Sequence, residues 1–201
     1  MSVDASGKFG GSMVFSKWKG RNYVRQLVVP ENPGDPKQLG VRAMMRFLAT
    51  QWKLKALPKW TGWTAAATAK SISTFNAYVS ENLARWQLFK TPTEVYPAAE
   101  TAYTDTVATQ GTVGNVGFAT IEVTPTSGTA LWGIAIFRDP ATITVPSWAN
   151  CVMIVAGNGA SKVTYVDSPL AAGTYHYRTA LFSLTGLMSV VYADSGAITV
   201  T

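Results

Sequence analysis

The spacing of hydrophobic and polar residues predicts an extended N-terminal region. Residues 1–11 are polar and rich in Gly, which predicts an arm that is mobile in the isolated chain. Two β-prone runs, 12–18 and 22–29, are separated by Lys19-Gly20-Arg21, a sequence typical of a turn, and they predict a hairpin. A lone two-stranded hairpin is marginal in water, so this one needs a partner from the same chain or from another.

Helical periodicity follows the hairpin. Asp35 fits the N-cap, and Pro36 the first position, of a helix that is predicted to reach Lys55. Two further helices are predicted over 61–70 and 73–88, the last with an apolar stripe that is typical of a packing face. We expect this helical unit to be too small to bury its tryptophans unaided, so that other subunits complete their burial.

From residue 116 the pattern changes to short alternating runs separated by turn residues, with no long amphipathic helix between them. Such spacing predicts an all-β sandwich. The predicted strands are 118–123, 130–138, 151–155, 162–166, 175–182, 188–192 and 197–200. The predicted fold class is therefore α+β in two parts: an extended arm and β-hairpin at 1–34, a helical unit at 35–90, a linker at 91–106, and an immunoglobulin-like sandwich at 107–201.

Composition and charge add a contrast between the two parts. The chain has 201 residues, of which 47% are apolar, and this composition excludes a disordered chain. Residues 1–96 carry fourteen Lys/Arg and five Asp/Glu, whereas residues 97–201 carry three and six. Such asymmetry predicts that the two parts meet different surroundings. No apolar run is long enough for a membrane helix and no secretory signal is evident at the start, so we expect a soluble protein made in the cytoplasm.

Residues that could carry catalysis or bind metal are scarce. Cys151 is the only cysteine and His176 the only histidine, which excludes an internal disulfide and a zinc site built from paired cysteines. Cys151 lies in an apolar run and is predicted to be a small buried hydrophobe. Asp139, Asp167 and Asp194 lie beside Pro or Ser, where aspartate mainly stabilises turns. We therefore predict no enzyme activity, no metal and no cofactor.

The hairpin region carries the candidate binding residues, because cations and aromatic residues alternate along it. The cations would pair with acidic protein surfaces, and the aromatic rings would bury area at the contact. The same pattern suits nucleic acid, although no helix-turn-helix, zinc finger or RNA-binding sheet motif accompanies it. The predicted partner-binding residues are Phe9, Phe15, Lys17, Trp18, Lys19, Arg21, Tyr23 and Arg25.

Part of the second half resembles a fibronectin type III domain. The likeness lies in 162–180, where an Asp-containing strand end, Leu170, a Gly173-Thr174 turn and alternating aromatics lead to Arg178. The resemblance implies an immunoglobulin-like sandwich in which Tyr175 or Tyr177 supplies a corner tyrosine that bonds to nearby backbone. Val123 stands where that family usually has a core Trp.

The first ninety residues resemble a group of tailed-bacteriophage virion proteins. The likeness lies in the Gly-rich arm, the Lys19-Gly20 turn, Asn32-Pro33, and Gln38 and Arg42 at the start of a helix. It implies a non-enzymatic structural protein of the particle, as a capsid decoration, neck or tail component, with other virion proteins as partners and several copies per assembly. Two alternatives stay open: a module that binds carbohydrate or a host surface through Trp132 or Trp148, and a nucleic-acid-binding protein that uses the hairpin.

Overall fold

The structure, a computed structural model, describes residues 7–9, 13–18, 20–26, 35–54, 61–127 and 131–201. The chain forms two compact units, Met1–Pro33 and Gly34–Thr201. In the first unit the strands pair antiparallel in the order β1-β2-β3. The three strands are β1 (Gly7–Phe9), β2 (Met13–Trp18) and β3 (Arg21–Gln26). The predicted hairpin is confirmed as β2 and β3, and part of the predicted arm forms a third strand.

The second unit begins with three helices that start and end close to the predicted positions. They are α1 (Pro36–Leu54), α2 (Thr61–Lys70) and α3 (Thr74–Gln87). Asp35 Oδ1 accepts a hydrogen bond from Lys37 N at 2.9 Å, and Ser73 Oγ accepts one from Asn76 N at 3.2 Å. These side chains satisfy backbone N–H groups at the helix starts, which have no partner within the helix.

In the described residues, seven antiparallel strands follow and form two sheets. One sheet has the order β4-β5-β8 and the other the order β10-β9-β6-β7. A 3₁₀ turn at Trp148–Asn150 precedes β7. The strands are β4 (Val107–Asn115), β5 (Phe118–Pro125), β6 (Leu131–Asp139), β7 (Cys151–Ala156), β8 (Val163–Asp167), β9 (Gly173–Ser183) and β10 (Ile198–Val200). The α+β class is thus confirmed. Residues 188–192, predicted as a strand, are irregular apart from an isolated bridge between Phe182 and Met188.

Among the described residues of the second unit there are two large hydrophobic cores, to both of which β6 contributes, and a small third cluster of alanines on α2 and α3. Ile134 and Ile136 belong to a core that joins the two sheets. Ala135 and Phe137 belong to a second core, which joins the four-stranded sheet to the helices. Because alternate residues of a strand point to opposite faces, β6 is covered on both sides. The result is three layers: helices, the four-stranded sheet and the three-stranded sheet.

The segment predicted as a linker, 91–106, instead ties the helices to the sheets. Asn82 on α3 exchanges two hydrogen bonds with the Thr93 backbone at 2.8 and 3.0 Å, and Trp63 Nε1 donates to Glu94 O at 2.8 Å. The Glu94 N–H donates in turn to Leu184 O at 2.9 Å. Composition changes here, but the boundary between compact units lies between Pro33 and Gly34. The predicted separation of helical unit and sandwich is therefore replaced by one three-layer unit.

Two of the helical tryptophans are buried without another subunit. Trp63 on α2 and Trp86 on α3 are fully buried. Trp86 lies 5.6 Å from Phe182 and 6.4 Å from Phe137 between ring centroids, and both phenylalanines belong to the four-stranded sheet. The chain's own sheet provides the cover that was expected from other subunits, because the helices pack on that sheet rather than on each other alone. No helix in the described residues is both long and apolar enough to span a membrane.

Candidate functional site

The predicted binding residues fall on the N-terminal sheet, whose register decides which of them lie together. Trp18 pairs with Arg21, and Gly20 before Arg21 has a positive φ of 81°, as two-residue hairpin turns require. Along the hairpin Phe15 is opposite Val24 and Ser16 is opposite Tyr23. Directly opposed residues of antiparallel strands share a face, and their neighbours in sequence point to the other face. The sheet therefore has two chemically different faces.

One side, the apolar face, is formed by Met13, Phe15 and Val24. Val24 is 53% exposed and Met13 39% exposed, while Phe15 is half-buried. Lys17, opposite Asn22, lies at the turn end of the same face. Burying such side chains against a partner is favourable at roughly 25 cal/mol per Å² of apolar area removed from water. The apolar face is thus suited to contact with another protein surface.

The other side, the basic face, is formed by Arg21, Tyr23 and Arg25. All three are exposed. Alternate residues of one strand point to the same side, so the two guanidinium groups flank the Tyr23 ring along β3. Such a face attracts carboxylates or phosphates, and the ring offers a surface for stacking.

The cations and aromatic residues that alternate along the sequence therefore lie on two faces of the sheet rather than on one. Phe15 and Lys17 lie on the apolar face, whereas Arg21, Tyr23 and Arg25 lie on the basic face. Phe9 and Trp18 belong to β1 and β2 by backbone position, and Lys19 lies outside the described residues. The sequence had no signal for this separation, because it follows from pairing between strands.

Strand β3 is the outer strand of this sheet. It pairs only with β2 in the part of the chain that the structure describes, and all six of its residues are exposed. An outer strand presents a row of backbone N–H and C=O groups that can pair with another chain. Both faces and one edge of β3 are accordingly available for contact.

The aspartates of the second unit are engaged in structural contacts. Asp139 accepts from the Ala141 N–H at 3.0 Å and from Asn150 Nδ2 at 2.7 Å. Asp194 accepts from His176 Nδ1 at 2.8 Å, assuming the tautomer that carries a proton there, and also from two backbone N–H groups. These contacts agree with the predicted structural role of aspartate near turns.

Arg138 on β6 organises a polar cluster that the sequence did not single out. Its Nη1 atom lies 2.7 Å from Asp167 Oδ2, which also accepts the Tyr177 hydroxyl at 2.9 Å. Burial, reinforced by the nearby Asp167 charge, raises the pKa of Tyr177, so this hydroxyl stays a donor. The guanidinium carbon also lies 5.7 Å from the Tyr175 ring centroid. Arg138 and Asp167 are far apart in sequence and lie on different sheets, so the cluster forms only when the two sheets pack together.

The two tryptophans that could bind carbohydrate, Trp132 and Trp148, differ in their burial. Trp132, a candidate for stacking on sugars, is 3% exposed and donates from Nε1 to Gln51 Oε1 at 3.0 Å, so it belongs to the core. Trp148 is half-buried beside α1.

Cys151 is fully buried, and burial raises the pKa of its thiol to about 12. Within the described ranges no group of three or more His, Cys, Asp or Glu residues could hold a metal ion.

Comparison with known proteins gives little further information. No protein-family model matches the chain, and no curated protein matches it. One solved structure to which it is similar is the soluble domain of PmoD from Methylocystis sp. ATCC 49242 (Rockwell), with 13% sequence identity and a TM-score of 0.31. That match covers 44% of this chain and 76% of the PmoD chain. At this level the likeness carries no argument about function.

Proposed function

We propose that this chain is a non-enzymatic structural and assembly protein of a bacteriophage particle, anchored by its N-terminal sheet and displaying the three-layer unit. The observation that carries the assembly role is β3, an outer strand whose six residues are all exposed. The virion setting rests on the resemblance of the first ninety residues to tailed-phage virion proteins. Capsid decoration, neck and tail are all compatible with it.

Strand addition is the mode of contact that fits β3. A partner strand that pairs with the outer edge gains backbone hydrogen bonds, and side chains on both faces then set specificity. The unit Met1–Pro33 carries five Lys/Arg and two Asp/Glu, so acidic partner surfaces are favoured. The partner in this proposal is another virion protein that pairs with β3 and covers the apolar face.

The displayed part is proposed to be a fibronectin type III-like sandwich carrying a helical layer. Seven antiparallel strands divided between two facing sheets support this assignment. The Tyr175 hydroxyl donates to Ala171 O at 3.0 Å, the backbone bond expected of a corner tyrosine, whereas Tyr177 bonds to the Asp167 side chain. The helices cover one face of the four-stranded sheet, and the three-stranded sheet covers the other. The outer layers of this unit are therefore the helices on one side and β4-β5-β8 on the other.

The test measures incorporation into particles. The chain is expressed in its own genetic context, particles are purified on a density gradient, and the chain is quantified by mass spectrometry. Native chain is expected in the particles. Val24→Lys, which places a charge on the apolar face beside the outer edge, is expected to lower incorporation by at least about fivefold, since a desolvated charge costs more than the roughly 1 kcal/mol this requires.

A matched control uses Val190→Lys. Val190 is 79% exposed and belongs to the second unit, so a lysine there makes the same change of charge in a different unit. It is expected to be incorporated like the native chain. Absence of native chain from particles, or equal incorporation of Val24→Lys and Val190→Lys, would refute the proposal.

The basic face favours one second candidate, nucleic-acid binding. Arg21 and Arg25 flank Tyr23, a combination that suits phosphates and stacked bases. Arg21→Glu with Arg25→Glu would then abolish salt-dependent retention of a single-stranded oligonucleotide while leaving the apolar face intact. Loss of retention with normal incorporation into particles would place nucleic acid, rather than an acidic subunit, on the basic face.

A further inference from the structure

A groove on the second unit lies between α1 and β7, beside the polar cluster of Arg138. It consists of three adjoining cavities of about 480, 320 and 170 Å³, all of which are lined by Leu39 of α1 and Val152 of β7. Arg46 and Met153 line two of the cavities, and Arg138 also lines two. We call this feature the α1–β7 groove. It combines apolar walls with guanidinium groups and with the carboxylates of Asp139 and Asp167.

The wall formed by β7 is an outer strand. In the sheet order β10-β9-β6-β7, β7 pairs with β6 alone among the described residues. Val152 and Met153, which line the groove, are both half-buried. The unpaired edge of β7 can accept a further strand, while α1 flanks the position that such a strand would occupy. A segment in this position would have to be extended.

The charge of the groove favours an acidic occupant. Arg46 is exposed and, within the described parts of the chain, forms no ion pair, so its charge is not neutralised. Arg138 is already held by Asp167 at 2.7 Å and leaves little net charge there. Burial raises the pKa of Tyr165, at the same cavity, to about 12, so its hydroxyl is neutral and can donate. Asp139 lines the groove as well, so its charged residues are three arginines, Arg42, Arg46 and Arg138, and two aspartates, Asp139 and Asp167, which leaves a formal charge of +1.

We propose that the α1–β7 groove binds an extended acidic peptide segment of another protein, which adds a strand to the outer edge of β7. A carboxylate of the segment pairs with Arg46, and apolar side chains of the segment contact Leu39, Val152 and Met153. The chain's own N-terminal unit does not suit this role, because it has five Lys/Arg against two Asp/Glu. Nucleic acid suits it less well, because the groove has a formal charge of only +1 and is lined by two carboxylates, whereas nucleic-acid sites neutralise several phosphates.

This groove and β3 belong to different units of the chain, so its occupancy can be tested independently of the proposed virion role. The probe is a fluorescein-labelled, end-capped peptide of about eight residues that alternates Glu and Val, long enough for a typical strand. Fluorescence anisotropy measures its binding to the full chain. We expect saturable binding that is weakened about tenfold by Arg46→Glu, since an attractive pair becomes a repulsive one.

Two sets of controls make the outcome decisive. Lys53→Glu alters an exposed cation of α1 that does not line the groove, and should change the affinity by less than about twofold. Two further peptides carry N-methyl groups on all Val or on all Glu residues, which blocks one backbone edge or the other. Pairing through a single edge predicts that one methylated peptide loses binding and the other keeps it.

Several results would overturn the proposal. They are no binding of the Glu-Val peptide, equal weakening by Arg46→Glu and Lys53→Glu, or equal affinity of both methylated peptides and the parent. A Lys-Val peptide that binds as well as the Glu-Val peptide would also overturn it, as would a single-stranded oligonucleotide that displaces the Glu-Val peptide. Circular dichroism checks that Arg46→Glu is folded, as expected for an exposed helical residue.

Discussion

Strands β3 and β6 show how differently the two units use the same kind of structure. Both strands are antiparallel, but all six residues of β3 are exposed, whereas β6 has six consecutive buried residues from Trp132 to Phe137. The difference is the number of layers: helices cover one face of β6 and the three-stranded sheet covers the other. Burial of apolar area stabilises the second unit from within, while the N-terminal sheet keeps its side chains available for contact.

The largest expected effect that tests this contrast is the truncation of a core tryptophan. Trp86→Ala removes a fully buried ring that contacts the four-stranded sheet and donates from Nε1 to Gly40 O at 3.2 Å. Its free energy of unfolding should fall by about 3–5 kcal/mol. Urea unfolding followed by circular dichroism measures this value.

The matching change in the other unit is Tyr23→Ala. Tyr23 is 38% exposed on the basic face, so its truncation should alter the unfolding of the second unit by less than about 0.5 kcal/mol. Trp86→Phe supplies an intermediate loss if Trp86→Ala does not fold. Equal losses of unfolding free energy for Trp86→Phe and Tyr23→Ala would contradict the idea that packing between layers stabilises the second unit.

A smaller effect on the free energy of unfolding is expected for Gly40→Ala. Helix propensity alone predicts that this change stabilises the unit, whereas packing predicts that it destabilises the unit. Alanine is the better helix former by about 1 kcal/mol. A Cβ atom at Gly40, however, would overlap the carbonyl oxygen of Trp148. Because backbone cannot move aside as easily as a flexible side chain, Gly40→Ala should destabilise the unit by about 1–3 kcal/mol.

The control for this prediction is Gly111→Ala on β4. A Cβ atom there would lie 3.8 Å from Glu122 Cβ, an ordinary contact. Its effect on the free energy of unfolding should be within about 0.5 kcal/mol. Stabilisation by Gly40→Ala would show that α1 is not held against the 148–150 turn as described.

Local signals explain which parts of the fold the sequence could predict. Asp35 and Ser73 cap α1 and α3, and both helices were predicted within one or two residues of their observed ends. The strand β4 was missed because its sequence contains Gly111 and Gly114 and has little apolar alternation. Its place depends on pairing with β5 and on the close approach of Gly114 to Thr199 O, contacts that no local pattern contains.

The domain boundary and the candidate surfaces could not be predicted from the sequence, because they too depend on contacts between residues that are far apart in the chain. The change of composition near Tyr96 marks a change from helix to strand, but compact units depend on contacts such as those between Trp86 and Phe182. In the N-terminal sheet the sequence supplied the residue types, and the register then divided Phe15 from Tyr23. The α1–β7 groove was missed entirely, because Arg46 and Val152 meet only after the helix packs beside the sheet.

The smallest effect concerns pH and again involves only the second unit. Burial tends to raise the pKa of Asp194, but hydrogen bonds from His176 and from the Ile143 and Gly196 N–H groups outweigh it and lower this pKa below its ordinary value of 3.8. A carboxyl group of this kind stabilises the folded state above pH 3.8, and the contribution is lost as the pH falls through the folded-state pKa.

Asp194→Asn should therefore lower the free energy of unfolding by about 1 kcal/mol at neutral pH, and the difference from the native chain should shrink as the pH falls below 3.8. Urea titrations at several pH values measure it. Glu81→Gln, which breaks an exposed ion pair with Lys70 at 3.1 Å, should cost no more than about 0.5 kcal/mol at any pH. A constant difference for Asp194→Asn would mean that the 194–196 turn is held by its backbone geometry rather than by the Asp194 charge, and that acid acts on the three-layer unit elsewhere.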